Sequence, residues 1–452
     1  MTRILGQYVS PATATLGLVE LILSFFIVEA LLCITTGPSG FSPAALPPDT
    51  GLTAFGAIFA LVTGGAATSV GLYRPDVCLE PRRRVASAAV AGIVAYLVLL
   101  LLVTGSSQID LTGWVVLWLG VALLVWQAGI LLTHLAFSRL LRRERLVRRV
   151  VIFGSEPGAA RFADMLRSRR ARLFEPMIAP ATAALSPDSL RQHGIWGVVV
   201  ASPDDAEVYA AALLDSKLRG ARVLNTTAFC EKHLGRIDLD AIDAQWLLGA
   251  DGFAQGRLTN AVKRGLDVAV SLALLVLALP VMAAVALAIK LESPGPILYR
   301  QQRVGLHGTP FTLLKFRSMR VDAEAGGNPR WAQRRDPRVT RVGRFIRPLR
   351  IDELPQLINV LLGEMSMIGP RPERPHFVTQ LAQAIPLYPQ RNYVKPGVTG
   401  WAQVNYPYGA SVEDAREKLA YDLYYIKNRG LLLDLLILCA TVRVVLSREG
   451  AR

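Results

Sequence analysis

Two adjacent acids, Asp352 and Glu353, stand in the segment LRIDELPQL, directly after a region rich in arginine. An ionised carboxylate beside a cationic phosphate site is a competent nucleophile, and a second carboxylate can hold Mg²⁺ together with substrate phosphates. The alternative is that the pair only caps a helix, because Asp is a good N-cap and Pro355 is tolerated in a first turn. The arginines of this region are Arg330, Arg334, Arg335, Arg338, Arg341, Arg344, Arg347 and Arg350.

The charge pattern around the two acids predicts their protonation state. A helix start after Asp352 and the nearby arginines both favour the ionised carboxylate, so the pKa of Asp352 is expected to be depressed. The last four arginines recur at every third residue and share roughly one face of a helix or 3₁₀ turn. Anionic headgroups or a diphosphate would offset their repulsion. A solvated basic face is the alternative interpretation.

Further candidate residues lie in the turns and strands around this segment. Residues 292–304 form a Pro/Gly turn and a short strand, residues 310–319 a second strand, and residues 365–373 a loop framed by prolines. A Gly-rich turn follows at residues 397–403. The residues predicted to bind substrate phosphate or nucleotide are Arg303, Lys315, Arg317, Arg347, Arg371 and Gln403.

Composition narrows the class of protein. The chain has 452 residues, of which 52% are hydrophobic, a share that indicates membrane segments. The net charge of +15 is compatible with nucleic acid, anionic lipid or phosphorylated substrates. Nucleic acid is disfavoured because no recognition-module signature is found. The four scattered cysteines predict neither a disulfide framework nor a zinc site.

The first third of the chain contains four apolar stretches, each near the length that crosses a bilayer. Arginines occur after the second and fourth stretches and not in the other two loops, which places both ends of the unit in the cytoplasm. No cleavable signal peptide is expected. Glu20 and Glu29 fall in the first stretch and are given no role. The stretches are roughly 14–35, 51–73, 87–105 and 112–136.

Residues 147–250 alternate strand and helix patterns, which predicts a parallel, Rossmann-like sheet. The first turn offers Gly154 and Gly158 but not the G-x-G-x-x-G spacing of dinucleotide sites. A regulatory or scaffolding domain is preferred, with nucleotide sensing as the alternative.

A fifth apolar segment, residues 265–290, has basic residues on both flanks and Pro280 in its middle. Both flanks favour the cytoplasmic side, and a proline kinks a helix. We therefore predict a re-entrant helix over 262–291 that bends near Pro280, with a full span as the alternative. The last apolar segment, 431–446, is predicted to be an interfacial helix.

The expected fold class is membrane α + α/β. The predicted domains are a four-helix transmembrane domain (1–137), a Rossmann-like cytoplasmic domain (138–255) and a catalytic domain with the re-entrant helix (256–452).

From about residue 261 onward, the sequence resembles the bacterial sugar transferase family of monotopic phosphoglycosyl transferases. The four-helix unit and the Rossmann-like domain resemble its large membrane branch, and the C-terminal part resembles the subgroup associated with exosortase-linked exopolysaccharide loci. Asn405, Tyr406 and Pro407 stand where the family commonly has Asn-Gly-Arg. The motifs that carry the resemblance are KRGLDVAVS, SPGPILYRQQRVG, FTLLKFRSM, DPRVTRVGRFIR, RIDELPQLINVLLGEMSMIGPRPE and KPGVTGWAQV.

The resemblance implies transfer of a sugar 1-phosphate from a UDP-sugar to polyprenyl (undecaprenyl) phosphate with release of UMP, the first step of exopolysaccharide or O-antigen assembly. It implies that Asp352 is the nucleophile of a covalent aspartyl intermediate and that Glu353 is associated with Mg²⁺. Lys315, Arg347 and Arg371 match positions near the phosphates and nucleotide. The implied location is the cytoplasmic face of the bacterial inner membrane, against anionic inner-leaflet lipids, as a homodimer.

Two other functions remain open from the sequence. A non-catalytic membrane scaffold for polysaccharide assembly would use the Rossmann-like domain to bind partners. A nucleotide-dependent sugar-modifying enzyme would place its chemistry in residues 147–250. The donor sugar is not specified by the sequence.

Overall fold

The computed structural model of the chain divides into two compact units, Met1–Leu234 and Gly235–Arg452. Three arginines of the basic region, Arg330, Arg334 and Arg335, lie outside the described residues, as does Pro407. The residues described are 2–4, 7–9, 11–35, 51–73, 77–78, 80–105, 113–142, 148–154, 157–167, 174–179, 192–201, 210–242, 246, 249, 252–253, 256–323, 336–406, 409 and 411–446.

Long apolar helices dominate the beginning of the first unit. A short antiparallel hairpin, β1 (Thr2–Ile4) and β2 (Gln7–Val9), precedes α1 (Pro11–Thr35), α2 (Gly51–Ser69), α3 (Pro81–Gly105) and α4 (Gly113–Arg142). Among the described residues, the segments long and apolar enough to cross a membrane are Thr15–Ile34, Pro81–Gly105, Val115–Leu140 and, in the second unit, Arg257–Glu292; Ala54–Ser69 is apolar but shorter. Membrane-type helices are thereby confirmed, and their orientation stays a prediction.

Polar side chains within these helices meet one another. Glu20 is buried, and its carboxylate lies 3.2 Å from His134 Nε2 and accepts a hydrogen bond from the Thr133 hydroxyl. The indole nitrogen of Trp126 donates to Ser24 Oγ at 2.9 Å. An acid inside an apolar helix is costly unless it has a partner, so Glu20 joins α1 to α4.

A four-stranded parallel sheet follows in the same unit, as predicted. Its strands are β3 (Arg148–Phe153), β4 (Phe174–Ala179), β5 (Ile195–Val200) and β6 (Val223–Asn225), in the spatial order β4-β3-β5-β6. Counted along the chain this order is 2-1-3-4, one of the two common doubly wound arrangements. The helices around it are α5 (Gly158–Arg167), α6 (Ala210–Leu218) and α7 (Thr226–Phe229), which continues into a π-helical turn, Cys230–Leu234.

The sheet is apolar on both faces. Val150 and Ile152 pack on one side with α5, whereas Val151 and Phe153 pack on the other side with Leu213 of α6. This alternation fills both layers and explains the continuous apolar run of β3. The sequence missed β4, because its FEPMIA segment carries Glu and Pro, which are tolerated at the edge of a sheet.

The second unit begins with a single long helix, α8 (Arg257–Glu292), which contains Pro280. Its buried residues are Asp267, Ser271, Val285 and Ile289, whose spacing places them on one face of the helix. Most of its leucines and valines are exposed. A helix with one packed stripe and an exposed apolar remainder is suited to lipid contact.

The rest of the second unit is built from short elements. They are β7 (Leu298–Val304), a 3₁₀ turn (Leu306–Gly308), β8 (Pro310–Phe316), α9 (Arg341–Ile346), a 3₁₀ turn (Ile351–Glu353), α10 (Gln356–Leu362), β9 (Ser366–Ile368), α11 (Pro375–Ala384), a 3₁₀ helix (Tyr388–Tyr393), β10 (Gly397–Thr399), α12 (Trp401–Asn405), α13 (Val412–Asn428) and α14 (Leu431–Leu446). β7 and β8 pair antiparallel, and β9 pairs parallel with β10.

Two hydrophobic clusters hold these elements. The larger one joins β8, α10, β9, α11, α12, α13 and α14, and Leu354 packs against it. The smaller one joins the C-terminal half of α8 to Phe316 and Ile346, and Ile351 packs against it. The acids Asp352 and Glu353 therefore lie on the turn that connects the two clusters.

Three glycines allow the backbones next to β9 and β10 to approach closely. A Cβ at Gly369 would lie 2.3 Å from the Lys395 carbonyl oxygen, and one at Gly400 would lie 2.1 Å from the Gly369 carbonyl oxygen. A Cβ at Gly397 would lie 2.1 Å from the Gly369 nitrogen. No side chain fits these positions without moving backbone, so the loop after β9 has a fixed path.

We expect Gly397→Ala to destabilise the protein by about 3 kcal/mol, because a methyl group there overpacks against backbone that cannot yield. The measurement is thermal unfolding of the detergent-solubilised chain. Gly430→Ala is the matched control, since a Cβ at Gly430 meets nothing within 4 Å. Equal unfolding temperatures for the two variants would contradict the prediction.

Candidate active site

The two acids lie on a 3₁₀ turn, Ile351–Glu353, that follows a strained residue. Arg350 has a φ of 55°, the left-handed conformation that non-glycine residues rarely adopt. The Glu353 amide donates to the Arg350 carbonyl at 3.1 Å, which closes the turn. The helix α10 starts only at Gln356, after Pro355, so the alternative interpretation in which Asp352 caps this helix is wrong.

Glu353 is buried and gathers three cations. Its Oε1 accepts from Lys315 Nζ at 2.9 Å and from Arg371 Nη2 at 2.6 Å, and its Oε2 lies 3.4 Å from Arg350 Nη1. Lys315 comes from β8, Arg350 from the turn itself and Arg371 from the loop after β9. One carboxylate thus joins three separate segments.

The pKa values of this cluster follow from burial and from the opposite charges. Burial opposes ionisation of Glu353, but Arg371, Lys315 and Arg350 hold its pKa well below the usual range. Burial lowers the pKa of Lys315, and Glu353 partly opposes that effect. Glu353 is therefore the permanently ionised member of the acid pair.

Asp352 differs from its neighbour. It is also buried, yet among the described residues no hydrogen bond or short ion pair engages its carboxylate. Burial and the negative charge of Glu353 raise its pKa to about 6, against the opposing effects of Lys315, Arg347 and Arg371. The sequence-based expectation of a depressed pKa is wrong, because the nearest cations pair with Glu353 and Asp352 is not at a helix N-terminus.

Gln403 extends the cluster, because its Oε1 accepts from Arg371 Nη1 at 3.1 Å. Arg371 therefore spans Glu353 and Gln403. Arg347, the residue after α9, lines the same cavity as Asp352. The structure thus brings together five of the predicted site residues around Asp352: Glu353, Lys315, Arg347, Arg371 and Gln403.

Two other predicted phosphate-binding residues have structural partners. Arg303 donates to the Pro372 carbonyl at 3.0 Å and lies 3.5 Å from Glu373. Arg317 is 5% exposed and donates to the carbonyls of Ser293 and Pro294, both at 2.8 Å, just beyond the C-terminus of α8. Both line the cavity, so their roles toward substrate stay predictions.

A cavity of about 1120 Å³ contains the acid pair. Met282 and Ala286 of α8 line part of its wall, and Phe377, Tyr388 and other residues of the larger cluster line another part. The acids therefore face a space that borders both the membrane-type helix and the interior of the unit. That volume lies just above the usual range of about 300–1,000 Å³ for small-molecule sites.

Sequence reasoning missed one prominent pair beside the site, Arg391 and Asp422. They are buried and joined at 2.8 Å. They lie on different elements, and no short-range motif connects them. Only the tertiary fold brings them together.

A metal ion at Glu353 can be tested against its contacts. Both carboxylate oxygens already face cations, so in this arrangement the residues do not fit a metal ion there. Among the described residues, no group of three His, Cys, Asp or Glu side chains could hold a metal. The Mg²⁺ requirement and its assignment to Glu353 stay predictions.

The comparison with known proteins now adds to the geometry. A family profile described as "Bacterial sugar transferase" matches residues 258–448, which include all of α8 except its first residue, both acids and every cation of the site described above. A UDP-glucose:undecaprenyl-phosphate glucose-1-phosphate transferase of Caulobacter vibrioides is 47% identical over 191 residues, 42% of this chain and 71% of that protein. The chain belongs to the bacterial sugar transferase family.

Other members of the bacterial sugar transferase family match over the same region. A UDP-N-acetylgalactosamine-undecaprenyl-phosphate N-acetylgalactosaminephosphotransferase of Aeromonas hydrophila is 51% identical over 191 residues, 42% of this chain and 45% of that protein. A UDP-glucose:undecaprenyl-phosphate glucose-1-phosphate transferase of Escherichia coli K12 is 44% identical over 183 residues, 40% and 39% of the two chains. The match thus spans less than half the length of these two relatives.

Proposed function

We propose that the chain is a phosphoglycosyl transferase that moves a sugar 1-phosphate from a UDP-sugar to undecaprenyl or a similar polyprenyl phosphate and releases UMP. The observation that carries the proposal is the pair of buried acids in a cavity bordered by α8. Glu353 is neutralised by three cations, whereas Asp352 has no hydrogen-bond or ion-pair partner in the described part of the chain. The names of the relatives, which include both glucose and N-acetylgalactosamine transferases, support the reaction class and leave the donor sugar open.

The first step is attack by an Asp352 carboxylate oxygen on the β-phosphorus of the UDP-sugar. The new bond joins this oxygen to phosphorus, and the bond between the β-phosphorus and the bridging oxygen breaks. UMP leaves with the electron pair, and the sugar phosphate stays on Asp352. A carboxylate whose pKa is about 6, and that forms no ion pair with the cations the structure describes, is ionised at neutral pH and available to attack.

The second step regenerates the enzyme. A phosphate oxygen of polyprenyl phosphate attacks the same phosphorus, the bond to Asp352 breaks, and the carboxylate recovers its electron pair. The products are polyprenyl-diphosphate-sugar and free Asp352. No redox partner is needed, since the reaction exchanges one phosphoanhydride for another.

The cations around Glu353 are placed to receive phosphate charge. Lys315 and Arg371 are held in the cavity before substrate arrives, so their positions need little reorganisation on binding. Arg347 contributes positive potential on the Asp352 side. Preorganised cations of this kind stabilise the negative charge that develops on the departing UMP in the first step and on the Asp352 carboxylate in the second.

We also propose that α8 is re-entrant and that the active site lies at the cytoplasmic face of the inner membrane. α8 is about 54 Å long, which exceeds the thickness of the bilayer core. Even so, residues near both of its ends form hydrogen bonds or ion pairs with the rest of the second unit. Near its start, Lys263 Nζ lies 2.7 Å from Asp434, and Arg264 donates to the Val360 carbonyl at 2.6 Å. At its end, Glu292 accepts from the Arg341 amide at 2.6 Å. Contacts at both ends support a helix that stays on one side.

The first test is a UMP-release assay with membrane-reconstituted protein, polyprenyl phosphate, Mg²⁺ and a panel of UDP-sugars. We expect Asp352→Asn to abolish release, because the amide is not a nucleophile, and Glu353→Gln to impair it by on the order of 100-fold through loss of cation placement. The exposed acid Asp322 provides the control Asp322→Asn, which should behave like the wild type. Full activity of Asp352→Asn would sink the proposal and favour a scaffold.

The pH dependence follows from the pKa of Asp352. Since the nucleophile must be ionised, kcat/KM for the UDP-sugar should fall about tenfold per pH unit below pH 6 and level off above pH 7. Arg347 lowers this pKa, so Arg347→Gln should move the acid limb to higher pH. A limb that stays near pH 4, or does not move in the variant, would contradict the assignment.

The topology can be measured with single cysteines in a chain whose four native cysteines are replaced. Arg257→Cys and Lys290→Cys place thiols at the exposed, polar ends of α8. We expect a membrane-impermeant maleimide to label both from the cytoplasmic side only, in inverted vesicles and not in intact spheroplasts. Labelling of the two positions from opposite sides would show a spanning helix.

A further inference from the structure

The ion pair of Arg391 and Asp422 contacts the loop that carries Arg371 and lines the same cavity as the acid pair. Arg391 belongs to the 3₁₀ helix Tyr388–Tyr393 and Asp422 to α13, and both are buried, with 5% and 2% of their surface exposed. Arg391 Nε and Nη2 donate to Asp422 Oδ2 at 3.1 and 2.8 Å. A charge pair buried this deeply is retained only where its geometry is well satisfied.

The remaining donors of Arg391 have defined acceptors. Nη1 donates to the Tyr388 hydroxyl at 2.9 Å, and Nη2 also donates to the main-chain carbonyl of Arg371 at 2.9 Å. The guanidinium is therefore shared between a carboxylate that fixes its position and the peptide group of Arg371. Arg391 thus binds the main-chain carbonyl of Arg371, while the side chain of Arg371 donates to Glu353.

Other bonds hold the flanks of this loop, residues 369–374. The Gly369 amide donates to the Thr399 carbonyl at 2.9 Å, and Arg303 donates to the Pro372 carbonyl at 3.0 Å. Arg391 provides the contact at Arg371 itself. Because an arginine that bridges two acceptors must start from a fixed Cα, a shift of its peptide would be passed on to the guanidinium.

We propose that Asp422 and Arg391 are positioning residues for the transfer reaction: Asp422 holds the Arg391 guanidinium, Arg391 holds the Arg371 carbonyl, and Arg371 thereby bridges Glu353 and Gln403. The inference rests on the proposed function for its catalytic consequence. Both residues line the same cavity as the acids without contacting Asp352 or Glu353, and Arg391 is bonded to the peptide of Arg371, through which the proposal has them act.

A double-mutant cycle tests this chain of contacts in the full-length, membrane-reconstituted protein. Asp422→Asn and Arg391→Lys should each lower kcat for UMP release by on the order of 10- to 100-fold. Once Arg371→Ala has removed the side chain through which they act, the same changes should have little further effect. The proposal would be overturned if Asp422→Asn and Arg391→Lys lowered kcat by the same factor in the Arg371→Ala background as in the wild type.

Glu417→Gln is the matched control. It is the same type of substitution on the same helix, and Glu417 pairs with Arg236 at 2.5 Å rather than with the loop. Its effect on kcat should be equal in the wild-type and Arg371→Ala backgrounds. If Asp422→Asn does not fold, Arg391→Lys carries the cycle alone.

Hydrogen exchange gives a readout that does not depend on turnover. The Gly369, Gly397 and Val304 amides, which form hydrogen bonds from or to this loop, should exchange faster in Asp422→Asn and in Arg391→Lys, and at an unchanged rate in Glu417→Gln. Unchanged protection of this loop in both variants would overturn the proposal. If the wild type releases no UMP, the proposed function fails, and faster exchange in the two variants still supports Arg391 and Asp422 as the residues that hold the loop.

Discussion

The site depends on the ion pairs that the Glu353 carboxylate forms with three cations. Lys315, Arg350 and Arg371 come from a strand, a strained turn and a loop, and without an anion between them they would repel one another. A buried carboxylate is costly unless opposite charges satisfy it, and these three partly buried cations do so. Glu353 lies at the junction of the two hydrophobic clusters of the second unit, where the three segments that carry the cations meet.

This arrangement also separates two acids that are neighbours in the chain. Since Glu353 takes the cations, Asp352 is left with burial and a negative neighbour, and its pKa rises. The pKa of Asp352 is thereby raised and that of Glu353 lowered relative to their usual values, as in other sites where paired acids take different roles. The separation arises from contacts and not from residue type, because nothing in the dipeptide itself distinguishes a structural acid from a reactive one.

The sequence was informative where a signal is local. Apolar runs of membrane length predicted the long helices, and strand–helix alternation predicted the parallel sheet. It failed where the deciding contact is distant. The pKa of Asp352 was misjudged because Lys315 and Arg371, which are distant in sequence, pair with Glu353 instead. The start of α10 was misjudged for a local reason, since Asp-Glu-Leu-Pro has the pattern of a helix cap but forms a separate 3₁₀ turn before Gln356. The pair of Arg391 and Asp422 has no local signature.

The basic residues at the start of α8 also form contacts that could not be predicted from the sequence. Lys263 and Arg264 were interpreted as charges that keep a helix flank in the cytoplasm, and in the structure they also bind Asp434 and the end of α10. At the other end of α8, Arg317 donates to carbonyls at the helix terminus and lies two residues after Lys315 on the chain that leaves β8. The segment that presents a cation to Glu353 therefore also fastens the membrane helix. The C-terminal end of α8 and the strand that carries Lys315 are thus joined through the hydrogen bonds of a single arginine.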